Sequence, residues 1–263
     1  MKYVLEIENV SKFFHGLVAI DDLTIKVKPG QIYGIIGPNG AGKTTLFNCV
    51  TGIYTPEKGT IKYKGENITG MEPHKIAQRG VLRTFQNIRL FKEMSVAENI
   101  IAGTHTKSKQ KWYHSIIHTP FYKKDELKQW KKVEELMEFF GLSKYADTPA
   151  GDLSYGNQRK IEMARALAAE PELLILDEPA AGLNENETIE LTNIILKIKE
   201  MGLGIMMIEH DMEMVMKLTD YITVINFGKE ISQGEPDFIQ NDPRVIEAYI
   251  GTDDDEEEEE NGK

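Results

Sequence analysis

Apolar and polar positions change period several times along the chain, and those changes outline its elements. Val4–Val10 and Leu23–Val27 alternate with a period of two, as strands with one wet face do, and Pro29-Gly30 closes the second run. Gln31–Ile36 is nearly all apolar and predicts a buried strand, followed after a glycine-rich stretch by a helix over Lys43–Val50. A strand is predicted at Gly59–Gly65, a short helix opened by Pro73, and a strand at Val81–Phe85. Ser95 and Glu98 have capping-box spacing, so a helix starts there. Leu127, Trp130, Val133, Leu136, Met137 and Phe140 recur at helical spacing and predict an amphipathic helix over 122–140, ended by Gly141.

Ser154 caps the next helix, through Ala169, and Leu173–Leu176 is a fully apolar strand ending in Asp177-Glu178. A helix over Asn184–Lys199, a strand over Gly204–Glu209 and a helix over Asp211–Leu218 follow. Tyr221–Phe227 and Lys229–Ser232 read as a strand pair turning at Gly228, and Pro236 and Pro243 open two short helices. Strands alternating with helices predict an α/β fold, a parallel sheet covered on both faces, with ligand at the carboxyl ends of its strands. Residues 91 to about 152 form a mostly helical block between strand-rich regions. Within it, 103–120 reads as an irregular polar insertion whose Trp112 and Tyr113 suit a partner surface. His114 and His118 have a metal-binding spacing but no third ligand nearby, so surface or core histidines are the expectation.

Length allows one large domain, or a core with a subdomain. The net charge of −11 is uneven: Asp253–Lys263 holds eight acidic residues and one lysine, leaving the body at −4. That tail reads as disordered and solvating, and the chain lacks the basic stripe of a nucleic-acid binder. Cys49 is the single cysteine, expected to be a small buried hydrophobe in a reducing compartment. With no apolar run of membrane-spanning length and no leader pattern at Met1–Glu6, the expectation is a cytosolic protein whose membrane role needs a partner.

Chemistry concentrates at Gly37-Pro38-Asn39-Gly40-Ala41-Gly42-Lys43-Thr44-Thr45, which fits the phosphate-binding loop G-x-x-x-x-G-K-[ST]. Its glycines let successive N–H groups turn toward an anion, Lys43 adds a point charge, and the Thr44 hydroxyl suits magnesium. The helix that follows offers its N-terminus to phosphates. Asp177 suits magnesium, directly or through water, and Glu178 suits orientation or deprotonation of a water attacking a γ-phosphate. Gln86 and His210 each follow a predicted strand and belong at the same edge: Gln86 for metal or attacking water, His210 for a γ-phosphate. Phe13 and Phe14 fit two readings, core first and a ring for base stacking second.

In this order the residues resemble an ABC transporter ATPase. Leu153-Ser154-Tyr155-Gly156-Asn157-Gln158 resembles the LSGGQ signature, Leu176-Asp177-Glu178-Pro179 the extended Walker B, and Ala181-Gly182-Leu183-Asn184 the D-loop. Gln86 matches the Q-loop, His210 the switch histidine and Phe14 the base-stacking A-loop aromatic, which reverses the core-first reading of Phe14. Tyr155, Asn157 and Asn184 depart from the commoner Gly, Gln and Asp. The resemblance covers residues 3 to about 251 and implies a P-loop NTPase (RecA-like) core with a mainly parallel sheet, an N-terminal antiparallel β subdomain and the inserted helical subdomain. The ATPase domain is thus expected over 1–252 and the acidic tail over 253–263.

It further implies ATP and Mg2+, with Thr44, Gln86 and Asp177 at the metal. The expected assembly is a head-to-tail homo- or heterodimer in which Ser154 and Gly156 act in trans on the opposite subunit's ATP. Membrane permease subunits, and indirectly an extracellular substrate-binding protein, are the implied partners, with the chain at the cytoplasmic face of the membrane. Val81–Phe91, the Leu-Ser-Tyr-Gly signature and Ala180–Asn184 look like the LivG-type subunit of branched-chain amino acid importers. Urea or amide importers and lipopolysaccharide exporters share the same core. A soluble ABC-type ATPase acting on ribosomes or DNA usually has two cassettes or a long coiled coil, both lacking here, and a non-enzymatic sensor is disfavoured by intact Lys43, Asp177, Glu178 and His210.

Overall fold

The alternating run that opens the chain continues past Val10. In the computed structural model β1 spans Leu5–Phe14 and β2 Leu17–Val27, and His15 and Gly16 turn between them with φ of 44° and 94°, the left-handed pair of a tight hairpin. The structure describes residues 2–104 and 120–249. Residues 105–119 of the predicted insertion, with Trp112, Tyr113, His114 and His118, and the acidic tail lie outside the described residues; the insertion's ends, 103–104 and 120, are helical rather than irregular.

β3 (Ile32–Ile36) leads into α1 (Lys43–Val50), then β4 (Lys58–Tyr63), β5 (Glu66–Asn67), α2 (Pro73–Arg79) and β6 (Val81–Arg83). Helices α3 (Val96–Thr104), α4 (Pro120–Phe139) and α5 (Tyr155–Ala168) precede β7 (Leu173–Asp177). The chain continues through α6 (Glu185–Glu200), β8 (Gly204–Ile208), α7 (Met212–Leu218), β9 (Tyr221–Asn226), β10 (Lys229–Gly234), α8 (Pro236–Gln240) and α9 (243–249). Two sheets result. An antiparallel sheet has the order β2-β1-β4-β5. A six-stranded sheet has the order β10-β9-β3-β8-β7-β6, parallel except for β10.

Period-two geometry divides the core between the sheet's faces. Tyr33, Ile35, Leu173, Ile175, Met206 and Ile208 face α1 and the antiparallel sheet, packing with Leu46, Phe47 and Ile25. Leu174, Leu176, Ile205 and Met207 face the other way, onto Ile161 and Met163 of α5 and Leu191 and Ile195 of α6. Each of β3, β7 and β8 is buried along its whole length, which is why these strands read as unbroken apolar runs. Their carboxyl ends fall on one edge.

In α4, Val133, Leu136 and Met137 are buried beside Phe140, but Leu127 is 70% and Trp130 37% exposed. The predicted apolar stripe is therefore covered only in its second half by the described residues. Periodicity defines a face of a helix but not what lies against it. Helix α5 packs against both α3 and α4, so the packing of the helical block continues past residue 152.

Candidate functional site

The strand–loop–helix unit β3–α1 builds the first half of the site. Gly37, Gly40 and Gly42 have φ of 149°, 77° and 104°, a backbone that side chains resist. At Gly37 a Cβ would lie 1.9 Å from the Ile225 carbonyl oxygen, and at Gly42 2.3 Å from that of Ala19, so both must be glycine. Lys43 is buried at 6% exposure and donates to the carbonyls of Gly37 (2.5 Å) and Pro38 (2.8 Å). Burial lowers its pKa, against the opposing pull of Glu178.

The second half comes from adjacent strands. β6, β7 and β8 are neighbours, so Gln86, Asp177-Glu178 and Glu209-His210 arrive together. Glu178 N–H donates to the Ile208 carbonyl at 2.9 Å, while its left-handed φ of 47° turns the residue off the end of β7. Its carboxylate accepts from Gln86 Nε2 (2.6 Å) and lies 2.9 Å from His210 Nε2. Glu209 is buried and accepts from the Ala180 and His210 amides at 2.7 and 3.0 Å, tying the loop after Glu178 to the turn carrying His210. Burial raises the Glu209 pKa.

An open cavity of about 510 Å³ joins the halves. Its lining includes Phe14, Asn39, Gly40, Ala41, Gly42, Lys43, Thr44, Thr45, Glu178 and His210. Gly37, Pro38, Asp177 and Gln86 are not part of this lining: the first two contact Lys43, the exposed Gln86 contacts Glu178, and Asp177 lies in a buried ion pair with Arg83 at 2.5 Å. The Phe14 ring makes an edge-to-face contact with Tyr54, centroids 5.1 Å apart, so the residue is both packed and at the cavity. Ser154 and Gly156 line a second cavity of about 180 Å³ with Leu183 and Glu187, and are absent from the first.

The family match decides what this arrangement is. Residues 20–181 match the family described as ABC transporter, and residues 229–255 match the branched-chain amino acid ATP-binding cassette transporter family. The chain belongs to the ABC transporter ATP-binding family. The cassette is 43% identical to the high-affinity branched-chain amino acid transport ATP-binding protein BraF of Pseudomonas aeruginosa and 41% identical to LivG of Escherichia coli. Each alignment covers 94% of this chain and 98% of the relative. Among solved structures, the ATP-binding cassette MJ1267 in its ADP conformation superposes with a TM-score of 0.83 at 33% identity, covering 95% of this chain and all of the other. The cassette is thus an ATPase of the class that powers transport. Among its described residues no helix is long and apolar enough to cross a membrane.

Several residues of the cassette's site escaped sequence reasoning. Leu17, Val18, Ala19 and Phe227 line the first cavity, and Phe227 is 83% exposed in a left-handed backbone. Phe227 ends the first strand of a predicted pair, whereas Leu17, Val18 and Ala19 belong to the first part of β2, ahead of the predicted strand at Leu23–Val27. Arg83, within the Val81–Phe85 strand prediction, carried no sequence signal for its pairing with Asp177. At Gly156 a Cβ would lie 2.5 Å from Glu187 Oε1, where the start of α5 meets the start of α6, so a larger residue there would displace the Glu187 side chain. Asn184 caps α6 in a full capping box with Glu187.

Proposed function

We propose that the chain is the ATP-hydrolysing subunit of a membrane importer for branched-chain amino acids. The observation that carries the hydrolytic part is the Glu178 carboxylate, held between Gln86 and His210 at the rim of the cavity containing Lys43. Phe14 stacks on the base, the phosphate-loop amides and α1 hold the phosphates, and Lys43 neutralises charge at the outer ones. Glu178 takes a proton from the attacking water as oxygen adds to the γ-phosphorus and the bond to the β,γ-bridging oxygen breaks. His210 holds the γ-phosphate and fixes Glu178.

The chain's oxygen donors suit magnesium. Thr44 offers an exposed hydroxyl at the cavity, Asp177 a buried carboxylate, and Gln86 an amide. Magnesium held by so few protein groups would take its remaining ligands from phosphate and water. When bound, magnesium neutralises charge developing on the phosphates.

Ser154 and Gly156 lie at the start of α5, in a cavity apart from the phosphate loop. A closed site therefore takes its second face from another subunit, and this chain's Ser154 and Gly156 face the ATP held by that subunit. Homo- and heterodimers both satisfy this requirement. The helical block receives the permease at the cytoplasmic face, and an extracellular binding protein selects the cargo. The C-terminal family match and the names of the relatives favour branched-chain amino acids over urea, amides or lipopolysaccharide. The test is purification with the permease followed by reconstitution. Leucine, isoleucine or valine with the binding protein should stimulate ATP hydrolysis; stimulation by urea instead contradicts the cargo assignment.

A further inference from the structure

Helix α5 begins at the signature and holds a charged pair that the hydrolytic reading leaves unused. Arg159 and Glu162, one turn apart, form an ion pair at 2.8 Å with side chains 0% and 3% exposed. Burying two charges costs more than their attraction returns unless further hydrogen bonds complete the site. Here those bonds go to the backbone that leaves β6, with Arg159 Nε alone of the pair's buried atoms lacking a partner. Arg159 Nη1 donates to the Phe85 carbonyl at 2.7 Å, and Nη2 to the Gln86 carbonyl at 2.8 Å. Glu162 Oε1 accepts from the Phe85 and Arg89 amides at 3.5 and 3.4 Å. Two carbonyls and two amides that no strand or helix satisfies thus find partners on one helix.

The contacts continue along α5 in both directions. Arg165 donates to the Arg89 carbonyl and lies over the Phe91 ring. Toward the signature, the Tyr155 ring is 5.8 Å from the Arg159 guanidinium carbon. A Cβ on Gly182 would lie 3.2 Å from that same ring. Tyr155, where glycine is commoner in the resemblance, therefore links the pair to the loop after Glu178. On the far side of the clamped backbone, Gln86 Nε2 reaches Glu178 Oε2 at 2.6 Å.

We propose that Arg159, braced by Glu162, is a positioning residue for hydrolysis: its fork fixes the Gln86 backbone so that the Gln86 amide meets Glu178. It also binds residues 85–89 to the helix whose N-cap is Ser154. The glutamine that holds this chain's Glu178 and the signature that serves the other subunit's ATP then move as one piece. The inference rests on the proposed roles of Gln86 and Glu178.

The test is a double-mutant cycle in the full-length chain, reading kcat, ATP affinity and thermal midpoint. Arg159→Lys keeps the charge beside Glu162 but loses the planar fork. It should lower kcat about tenfold or more, as a small misplacement of a catalytic group does. ATP affinity should stay within about twofold, since only turnover depends on the contact. Gln86→Ala should lower kcat by itself, and the double variant should be no slower than Gln86→Ala, because Arg159 acts through Gln86. Losses that multiply in the double variant, or wild-type kcat in Arg159→Lys, overturn the inference and leave the ATPase reading intact. Unchanged kcat in Gln86→Ala overturns the assignment of Gln86 itself, and the role of Arg159 with it. If Arg159→Lys does not fold, Glu162→Gln carries the same cycle with the same expected non-additivity.

Discussion

Arg83 donates to Asp177 Oδ2 at 2.5 Å and, through its other terminal nitrogen, to Asn48 Oδ1 at 2.7 Å. One guanidinium thus ties the end of β7 to α1, the helix that follows the phosphate loop. The Phe47 and Phe85 rings lie 5.6 and 5.2 Å from its central carbon, so the pair is walled by aromatic faces as well as buried.

Removing one member of a buried ion pair leaves the other charge stranded, at a cost of about 3–5 kcal/mol. Arg83→Met should therefore lower the thermal midpoint by roughly 6–10 °C, at about 2 °C per kcal/mol for this chain length. The double variant Arg83→Met, Asp177→Asn should regain part of that loss, because no buried carboxylate remains. Calorimetry of the single and double variants checks this, and an unshifted midpoint in Arg83→Met contradicts it.

Lys43 is the charge closest to the phosphates in the proposed reading. Hydrogen bonds to charged groups contribute about 1.5–3 kcal/mol, so Lys43→Ala should weaken ATP binding roughly 10- to 100-fold. Titration with a fluorescent ATP analogue reads this directly. Wild-type affinity in the variant would count against the loop assignment.

The structure gives Asn184 a capping role that the commoner Asp would fill equally well. The Asn184 side chain accepts from the Glu187 amide at 3.1 Å, and Glu187 returns the bond to the Asn184 amide at 3.2 Å. Asn184→Ala should cost about 1 kcal/mol, the usual loss of an N-cap, while Asn184→Asp keeps the cap and should be near neutral. Denaturant unfolding of both variants distinguishes them; equal losses would show that the cap contributes nothing.

Cys49 lies buried on α1, and burial pushes its thiol pKa up to about 11 from an ordinary 9.0. The folded chain should therefore resist iodoacetamide at pH 8 and react fully in denaturant. The raised value favours the neutral thiol. Its contribution to stability is present below pH 9 and is lost as pH climbs from about 9 toward 11, where the unfolded thiol ionises first. Rapid alkylation of the native chain at pH 8 would contradict the assignment.

Local signals were the legible ones. Residues 43–50 read as a helix and form one, Ser95 and Glu98 cap each other, and the apolar run 173–176 predicted a fully buried strand. Gln86, Glu178 and His210 were expected at one edge because they end neighbouring parallel strands, and they meet there. Arg83, Arg159 and Glu162 were not legible as site residues. Their contacts with Asp177, Gln86 and Arg89 span 73 to 94 positions, and charge in a sequence does not show which backbone groups need it. Leu127 and Trp130 failed for the converse reason, since period alone does not supply a covering surface.

The central claim is that Glu178 carries the hydrolytic step of a site completed by a second subunit. Phosphate release and ATP-dependent association by Glu178→Gln measure it most directly. The account predicts abolished turnover and a stable ATP-bound dimer, since ATP still bridges the subunits but the water keeps its proton. Wild-type phosphate release by Glu178→Gln would contradict it.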